Sequence, residues 1–504
     1  MSRRFALWTL TLIILAGLCL RTYHLTARSL WFDEAFSWRL VSFPFAEMIA
    51  RDIQDVHPPL YYVILKGYTT VFGNSLLSLR SFSILFAGVT IASGYQFAAY
   101  AFRSRATGVL AAAFIAFSGW QIAFAWEARM YTLGTALALL SSWALLRAVR
   151  RPSWFIWSIY SLLAVTFAYT HYFAFFTLAA HAVFVAGYIL VTTRARVGEI
   201  LGWRLTWSAL LAGVATLALY APWIPVFLRQ NTQVQSSYWV PPVTRWSIPE
   251  TFYRFFIPTS APISHQGAAV AGVILPLAAS GLGLMWLALS SRKNRDANWL
   301  TALAVIVPFA VTLFVSTIGQ SLYQDRFLIF ANLFLLVTAA ALISRVRWIW
   351  PRRSLAAIAV LGLLGSFVSY WLELDILNKP GVRAAAALIS SEGSAEQPVV
   401  VSSSFIYFSV NYYLTQASRP EPKLLSGTTE LIHFAGGPIL KTSDIITSAE
   451  LSRVQSDILW VVDTSGFGGA KASLGHGWRV ADEKKFPEIF PHQGDIFVTK
   501  YIRQ

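Results

Sequence analysis

Two adjacent carboxylates, Asp33 and Glu34, lie between aromatic residues in a chain that is otherwise strongly apolar. A carboxylate is unfavourable near hydrocarbon, and where one occurs there it usually has a function. Because the apolar neighbours Trp31 and Phe32 limit its solvation, Asp33 is suited to remove a proton from an attacking hydroxyl. We expect Glu34 to orient Asp33 or to hold a sugar hydroxyl. The alternative is a solvated loop that begins with charged residues after an apolar segment.

Four basic residues could bind a phosphate group. The guanidinium groups of Arg129 and Arg326 offer a bidentate fork that matches phosphate geometry, and Lys66 and protonated His57 are further candidates. One alternative is that the arginines extend along the apolar surface at helix ends. The alternative for His57, which precedes Pro58-Pro59, is a role in a turn.

The composition indicates the elements that must position these groups. Of 504 residues, 56% are hydrophobic and 13% are charged, against about 25% charged in soluble proteins. Together with repeated apolar runs near twenty residues, this predicts a polytopic membrane protein. The net charge of +16 does not indicate nucleic-acid binding, because most Arg and Lys residues lie in short links between apolar runs. The single cysteine, Cys19, excludes a disulfide within the chain.

About eleven apolar runs are suitable for spanning a bilayer. They are Phe5–Leu20, Leu79–Tyr100, Val109–Ala125, Tyr131–Leu146, Trp154–Thr170, Phe173–Thr192, Leu205–Phe227, Gly267–Leu289, Leu300–Ile318, Phe327–Ile343 and Leu355–Leu372. A further run, Leu60–Gly73, makes roughly 21 Å of helix against a hydrocarbon core of ~30 Å, and it carries Lys66. We interpret this run as an interfacial or re-entrant helix.

The basic links support that interpretation. If Leu60–Gly73 does not cross, the basic links all face one side, which the positive-inside rule makes the cytoplasm. These links hold Arg3, Arg4, Arg103, Arg105, Arg147, Arg150, Arg151, Arg194, Arg196, Arg204, Arg292, Lys293, Arg295, Arg345, Arg347, Arg352 and Arg353. The candidate site residues and the tail then share the outer side. An aromatic loop over 238–242, beginning with Tyr238 and Trp239, could cover a substrate there, or form part of an interfacial aromatic belt.

The tail from Glu373 to Gln504 is more polar and predicts a small α/β domain outside the cytoplasm. Its predicted elements are a helix over Arg383–Ser390 and strands over Val399–Val401, Ile458–Val462 and Ile496–Tyr501. The glycine-rich turn Gly466–Gly469 lacks the spacing of a nucleotide loop, so we assign it no function. We therefore expect a membrane domain over 1–372, whose outer loop 22–78 carries the two carboxylates, and an outer domain over 373–504.

Five motifs occur in an order that resembles the membrane-embedded GT-C glycosyltransferases. They are Leu30-Trp31-Phe32-Asp33-Glu34, His57-Pro58-Pro59-Leu60-Tyr61-Tyr62, Phe72-Gly73-Asn74-Ser75 with Leu79-Arg80-Ser81, Glu127-Ala128-Arg129-Met130-Tyr131 and Tyr323-Gln324-Asp325-Arg326-Phe327. More narrowly, the chain is similar to bacterial relatives of protein O-mannosyltransferases and of lipid A aminoarabinose transferases. The resemblance covers most of the membrane part.

The resemblance implies Asp33 as the catalytic base with Glu34 beside it, a polyprenyl-phosphate sugar donor and inversion at the anomeric carbon. Many relatives have Lys where His57 stands and Asp where Tyr131 stands, and Glu127 is the expected substitute for that acid. The donor phosphate is assigned to His57, Lys66, Arg129 and Arg326. The substrate is assigned to Trp31, Glu127, Tyr131, His171, Tyr172, Tyr323 and Asp325.

The expected protein is thus a polytopic α-helical, GT-C-like glycosyltransferase of the inner (plasma) membrane, with a cytoplasmic N-terminus. Its partners would be a lipid-linked sugar, an acceptor (lipid, glycan or protein) and membrane lipid. Some GT-C enzymes use a divalent metal, but the sequence lacks a dense acidic cluster, so we expect no metal and no other cofactor. One alternative is a transporter or flippase for lipid-linked sugars, which predicts polar groups at the bilayer midplane and a repeat between halves. The other is a non-catalytic scaffold in envelope assembly.

Overall fold

The computed structural model describes residues 1–236, 239–290, 294–427, 433–474 and 477–504. Tyr238 of the predicted covering loop, and Arg292 and Lys293 of a basic link, lie outside these residues.

The described residues contain twenty-one α-helices. They are α1 (Arg3–Thr22), α2 (Phe32–Ser42), α3 (Phe45–Ile53), α4 (Leu60–Phe72), α5 (Leu76–Ala101), α6 (Arg105–Phe117), α7 (Gly119–Ala125), α8 (Tyr131–Arg150), α9 (Trp154–Ala168), α10 (Ala174–Thr192), α11 (Val197–Gly202), α12 (Arg204–Tyr220), α13 (Ile224–Ser236), α14 (Ser247–Phe256), α15 (Ala269–Leu289), α16 (Arg295–Ile318), α17 (Ile329–Ser344), α18 (Ile349–Leu374), α19 (Gly381–Glu392), α20 (Ser404–Gln416) and α21 (Ser448–Leu451). Every predicted apolar run contains helix, so the polytopic α-helical prediction is confirmed.

Nine helical segments in the described ranges are long and apolar enough to span a membrane, counting Arg204–Gln235 as one segment. Helices α6 and α7, which meet at an angle of 58°, are together long and apolar enough to form a tenth span. Helix α9 is apolar but has only 15 residues. The predicted eleven spans therefore include one broken span and one short helix. The doubtful run is the 13-residue helix α4, which at ~1.5 Å per residue is too short for the hydrocarbon core; its placement in the membrane stays a prediction.

The break between α6 and α7 is stabilised by a buried arginine of α1. Helix α6 ends at Phe117, which leaves the carbonyls of Ile115 and Ala116 without helical donors. Arg21, which is 1% exposed, donates to both carbonyls, at 3.2 Å and 2.7 Å. The backbone carbonyl of Arg21 in turn accepts a hydrogen bond from Nε1 of Trp126 at 3.0 Å. The broken span thereby fixes the turn that leads into Glu127-Ala128-Arg129.

Packing divides the chain into two compact units. The first contains Met1–Tyr23, His57–Tyr61 and Ser81–Tyr370; the second contains His24–Val56, Tyr62–Arg80 and Trp371–Gln504.

The second unit joins most of the predicted outer loop to the tail, whereas the sequence analysis grouped that loop with the spans. Two contacts show why. Arg39 forms a buried ion pair with Asp444 at 3.1 Å, and the backbone N–H of Leu76 donates to the hydroxyl of Tyr412 at 2.5 Å. The predicted division into a membrane domain over 1–372 and an outer domain over 373–504 stays a prediction.

The tail forms a six-stranded sheet, as expected for an α/β domain. Its strands are β1 (Val399–Val401), β2 (Lys423–Leu425), β3 (Ile445–Ile446), β4 (Ile458–Thr464), β5 (Trp478–Pro487) and β6 (Asp495–Arg503), in the spatial order β3-β2-β1-β4-β6-β5. Strands β1 to β4 are parallel, and β6 pairs antiparallel with both β4 and β5. The predicted strands correspond to β1, β4 and β6, and the predicted helix to α19.

Candidate functional site

In the first unit, the segment that carries Arg326 is attached to α14 by two polar contacts. The hydroxyl of Tyr323 donates to Oγ1 of Thr251 at 2.8 Å. Asp325 forms an ion pair with Arg254 at 2.7 Å, and it also accepts the backbone N–H of Arg326 at 2.7 Å. Tyr323 and Asp325, predicted to bind substrate, therefore fix the position of Arg326.

The guanidinium of Arg326 lies over two aromatic rings. Its central carbon is 5.1 Å from the ring centroid of Trp239 and 5.4 Å from that of Phe327. Phe327 in turn stacks on Phe173, with the ring centroids 4.1 Å apart. Such contacts orient a guanidinium without neutralising its charge. Trp239 belongs to the loop predicted to cover a substrate, and in the structure it covers Arg326.

Arg129 follows the broken span and is 3% exposed. Its Nη2 lies 2.9 Å from Nε2 of His57. A guanidinium can only donate, so Nε2 of His57 is the acceptor in this contact. This contact orients Arg129, and the role of His57 in binding phosphate stays a prediction.

His171 lies between α9 and α10, and it is enclosed by rings and by basic side chains. Its Nδ1 accepts the backbone N–H of Phe173 at 3.1 Å, and the ring centroid of Tyr131 is 5.9 Å away. Burial, followed by electrostatic interaction with His57, Arg129 and Arg326, lowers the pKa of His171 to about 3. Both arginines are therefore near this neutral imidazole.

Tyr172 joins this cluster to α13. Its hydroxyl donates a hydrogen bond to Oε1 of Gln230 and accepts one from Nε1 of Trp223 at 3.0 Å. Gln230, which is 1% exposed, also reaches the backbone carbonyl of His57 at 3.5 Å. Sequence reasoning missed Gln230, although an amide at the end of the long apolar run over 204–235 was an available signal.

Six of the nine predicted site residues of the first unit thus form one cluster. The cluster comprises His57, Arg129, Tyr131, His171, Tyr172 and Arg326, and we name it the arginine cluster. Glu127 is buried, and its backbone carbonyl accepts the hydroxyl of Ser83 at 2.6 Å. Guanidinium groups are suited to bind an anion such as phosphate, and the phosphate role of Arg129 and Arg326 stays a prediction.

In the second unit, Asp33 and Glu34 both lie in the first turn of α2, next to Trp31 at its N-cap. The positive end of the helix dipole favours carboxylates there. Asp33 is half-buried, whereas Glu34 is fully buried in an ion pair with Arg80 at 2.7 Å. The two carboxylates therefore differ in access, and Asp33 is the one that a substrate could reach.

Lys66 lies at the other end of α2. Its Nζ donates to the backbone carbonyls of Val41 and Phe43 at 3.0 Å and 2.6 Å. These are carbonyls that a helix leaves unsatisfied at its C-terminus. Lys66, predicted to bind phosphate, therefore fixes the end of the helix that carries Asp33.

No group of three or more His, Cys, Asp or Glu residues that could hold a metal ion occurs in the part of the chain that the structure describes. Metal independence stays a prediction.

Comparison with known proteins identifies the fold. Residues 56–225 match the family model described as dolichyl-phosphate-mannose-protein mannosyltransferase. ArnT from Cupriavidus metallidurans in the apo state is similar over 97% of each chain, with a TM-score of 0.60 and 13% identity. The same protein bound to undecaprenyl phosphate gives a TM-score of 0.58 at the same identity and coverage.

An archaeal oligosaccharyltransferase, AglB from Archaeoglobus fulgidus in complex with an inhibitory peptide and a dolichol-phosphate, is also similar. The similarity covers 83% of this chain and 64% of AglB, with a TM-score of 0.50 and 12% identity. No curated protein sequence matches this chain. The predicted GT-C fold is confirmed, and the chain resembles protein O-mannosyltransferases and ArnT.

Proposed function

We propose that this chain, which has the fold of the GT-C membrane glycosyltransferases, transfers a sugar from a polyprenyl-phosphate donor to an acceptor on the outer face of the membrane, with inversion. One observation carries the proposal most directly. Arg129 and Arg326 both lie near the buried His171, so two guanidinium groups that can bind the phosphate of a lipid donor lie in one cluster. Of the similar structures, ArnT is bound to undecaprenyl phosphate and AglB to a dolichol-phosphate, and this supports a lipid-linked donor.

The arginine cluster would stabilise negative charge on the leaving phosphate. Hydrogen bonds from guanidinium to phosphate are charge-assisted and stronger than neutral ones. Groups that are already oriented need no reorganisation when the charge develops. His57 orients Arg129, and the rings of Trp239 and Phe327 orient Arg326, so both cations are preorganised.

In the proposed reaction, an oxygen of the acceptor attacks the anomeric carbon, and its proton passes to the carboxylate of Asp33. The bond from the anomeric carbon to the phosphate oxygen breaks, and its electron pair stays on that oxygen. Polyprenyl phosphate leaves, stabilised by Arg129 and Arg326. A lipid phosphate is a good leaving group, so the reaction needs a base but no general acid. A single displacement inverts the anomeric centre.

Glu34 would act by positioning Asp33. Its carboxylate is held by Arg80, which also donates to the backbone carbonyls of Leu25, Arg28 and Ser29. This ion pair ties the first turn of α2 to the segment before it. With Lys66 bound at the far end, α2 is fixed at both ends, and the place of Asp33 on it is fixed as well.

The distribution of basic links supports the proposed orientation in the inner (plasma) membrane, with the N-terminus in the cytoplasm and Asp33 outside. The experiment that tests the proposal uses purified protein in sealed vesicles with radiolabelled polyprenyl-phosphate hexoses and pentoses. We expect label on an added acceptor and unlabelled polyprenyl phosphate as the second product. Intact labelled lipid on the opposite leaflet, without transfer, would favour the transporter. If no donor gives a labelled acceptor or free polyprenyl phosphate, the proposed activity is contradicted.

A further inference from the structure

The sheet of the second unit has a point where strand order reverses. Strand β1 has β2 on one side and β4 on the other, and all three are parallel. The chain leaves β1 into α20 and leaves β4 into the glycine-rich turn. In open sheets of this type, ligands bind in the crevice outside the carboxyl ends of such strands.

The glycine-rich turn holds an aromatic ring in a strained backbone conformation. Phe467 has a φ of +54°, in the left-handed region that an aromatic residue rarely adopts. Its N–H donates to the carbonyl of His492 at 3.0 Å, and the N–H of Gly469 donates to the carbonyl of Gly466 at 2.8 Å. A side chain at Gly466 would collide with the backbone of Gln493. Such backbone strain persists only where the surrounding structure holds the residue in place, and strained residues cluster at functional sites.

Phe467 belongs to a row of four rings, Phe32, Phe405, Phe467 and His492, which we name the aromatic row. Phe405, in the first turn of α20, stacks on Phe467 with centroids 4.7 Å apart and planes at 13°. Phe32 lies 5.2 Å from Phe405, and His492 lies 5.6 Å from Phe467. The first three rings are half-buried and His492 is exposed. Because Phe32 precedes Asp33, the row begins beside the proposed base.

We propose that the aromatic row is the acceptor subsite and that it takes an uncharged sugar ring; this inference rests on the proposed function. The C–H groups on the face of a sugar ring carry partial positive charge and are attracted to the negative face of an aromatic ring. The two segments that follow the carboxyl ends of β1 and β4, 402–405 and 465–470, contain serines and glycines but no charged residue. A phosphorylated acceptor would require cations there.

The test measures binding of uncharged methyl hexosides by saturation-transfer NMR, and the KM for the same acceptors where transfer occurs. Phe467→Gly removes the ring at a position whose backbone conformation glycine prefers, so the turn should be retained. We expect the affinity for the hexoside to fall and KM to rise, each about 2- to 10-fold. Phe405→Leu should change both in the same direction. Phe467→Tyr, which keeps a ring, should bind as the wild type does.

Phe497→Leu is the matched control, since Phe497 is a half-buried ring on β6 outside the row. It should leave hexoside binding unchanged, and Phe467→Gly should leave polyprenyl-phosphate binding unchanged. Unaltered hexoside binding in Phe467→Gly overturns the subsite. Binding of a serine-containing peptide but of no hexoside also overturns it, in favour of a protein acceptor. If the wild type transfers no sugar, the proposed function fails, while the NMR comparison still decides the subsite.

Discussion

Arg80 holds Glu34 with two hydrogen bonds, from Nε to Oε1 at 2.8 Å and from Nη2 to Oε2 at 2.7 Å. Both side chains are fully buried. Arg28 is a second cation beside the same carboxylate, at 3.5 Å. A carboxylate enclosed in this way is a poor base for a substrate, and its adjacent residue, Asp33, is the one that remains accessible.

Loss of this ion pair should destabilise the protein. Arg80→Ala leaves Glu34 buried without its main partner, and breaking such a pair typically costs about 3–5 kcal/mol. We expect a clearly lower Tm in detergent and faster proteolysis. Arg196→Ala, in an exposed pair with Glu199, is the control and should cost about 0–1 kcal/mol. Equal Tm values for the two variants would show that the Glu34 pair is not a structural element.

Arg326 should be needed for donor binding. Arg326→Ala should weaken binding of polyprenyl-phosphate sugar by about 1.5–3 kcal/mol, the usual contribution of a charged hydrogen bond. Arg326→Lys should retain more of the donor affinity than Arg326→Ala but less than the wild type, because lysine lacks the planar fork. Arg245, an exposed arginine beside Trp246, provides the control variant Arg245→Ala, which should bind normally. Donor affinity that is unchanged in both Arg326 variants would contradict the phosphate role of the arginine cluster.

Stability should depend on pH through His171. Its pKa is about 3 in the folded protein, against an ordinary value of 6.5 for histidine, so below pH 6.5 the unfolded chain binds a proton that the folded protein does not. Stability should therefore be retained above pH 6.5 and lost as the pH falls towards 3, by about 2 kcal/mol at pH 5.

The comparison is the change in Tm between pH 7 and pH 5. His171→Asn, which keeps an acceptor for the N–H of Phe173, should show a smaller fall than the wild type. His24→Asn alters an exposed histidine at a φ of +51° that asparagine tolerates, and it should behave as the wild type. If the fall in Tm is the same in all three proteins, His171 is not the titrating group.

Transfer should not require a metal ion. In the proposed reaction, Arg129 and Arg326 supply the positive charge at the leaving phosphate, so incubation with EDTA should leave the transfer rate unchanged. The rate is measured with and without the chelator at fixed ionic strength, because salt screens the arginines. A rate that EDTA abolishes and Mg²⁺ or Mn²⁺ restores would contradict this expectation.

Hydrophobic length was sufficient to predict the helices of the apolar runs, and motif order supplied the candidate site residues. Each predicted span contains helix because a bilayer requires every backbone polar group to be bonded within the segment. Arg129, His171 and Arg326 were selected because they are polar residues at the ends of apolar runs. Their convergence on one cluster depends on packing between distant helices, which no local pattern encodes.

The hydrogen-bond partners of individual side chains could not be predicted from the sequence. Lys66 binds the backbone carbonyls of Val41 and Phe43, and carbonyls carry no sequence signal. The contact between His57 and Arg129 joins side chains 72 positions apart in the sequence. The break near Ser118 was hidden in a continuous apolar run, because the arginine that satisfies the freed carbonyls belongs to α1.

Single-turnover transfer by Asp33→Asn tests the central assignment most directly. Asn keeps the size and some hydrogen bonding of Asp33 but cannot accept the proton of the acceptor hydroxyl. General-base catalysis typically contributes ~10²–10⁴-fold, so transfer of radiolabel from a polyprenyl-phosphate sugar should fall by that order while donor binding and Tm are retained. Glu34→Gln should lower transfer less, since Glu34 positions Asp33. Transfer by Asp33→Asn at the wild-type rate would contradict the account. If Glu34→Gln alone is inactive, Glu34 is the base and Asp33 the positioning residue.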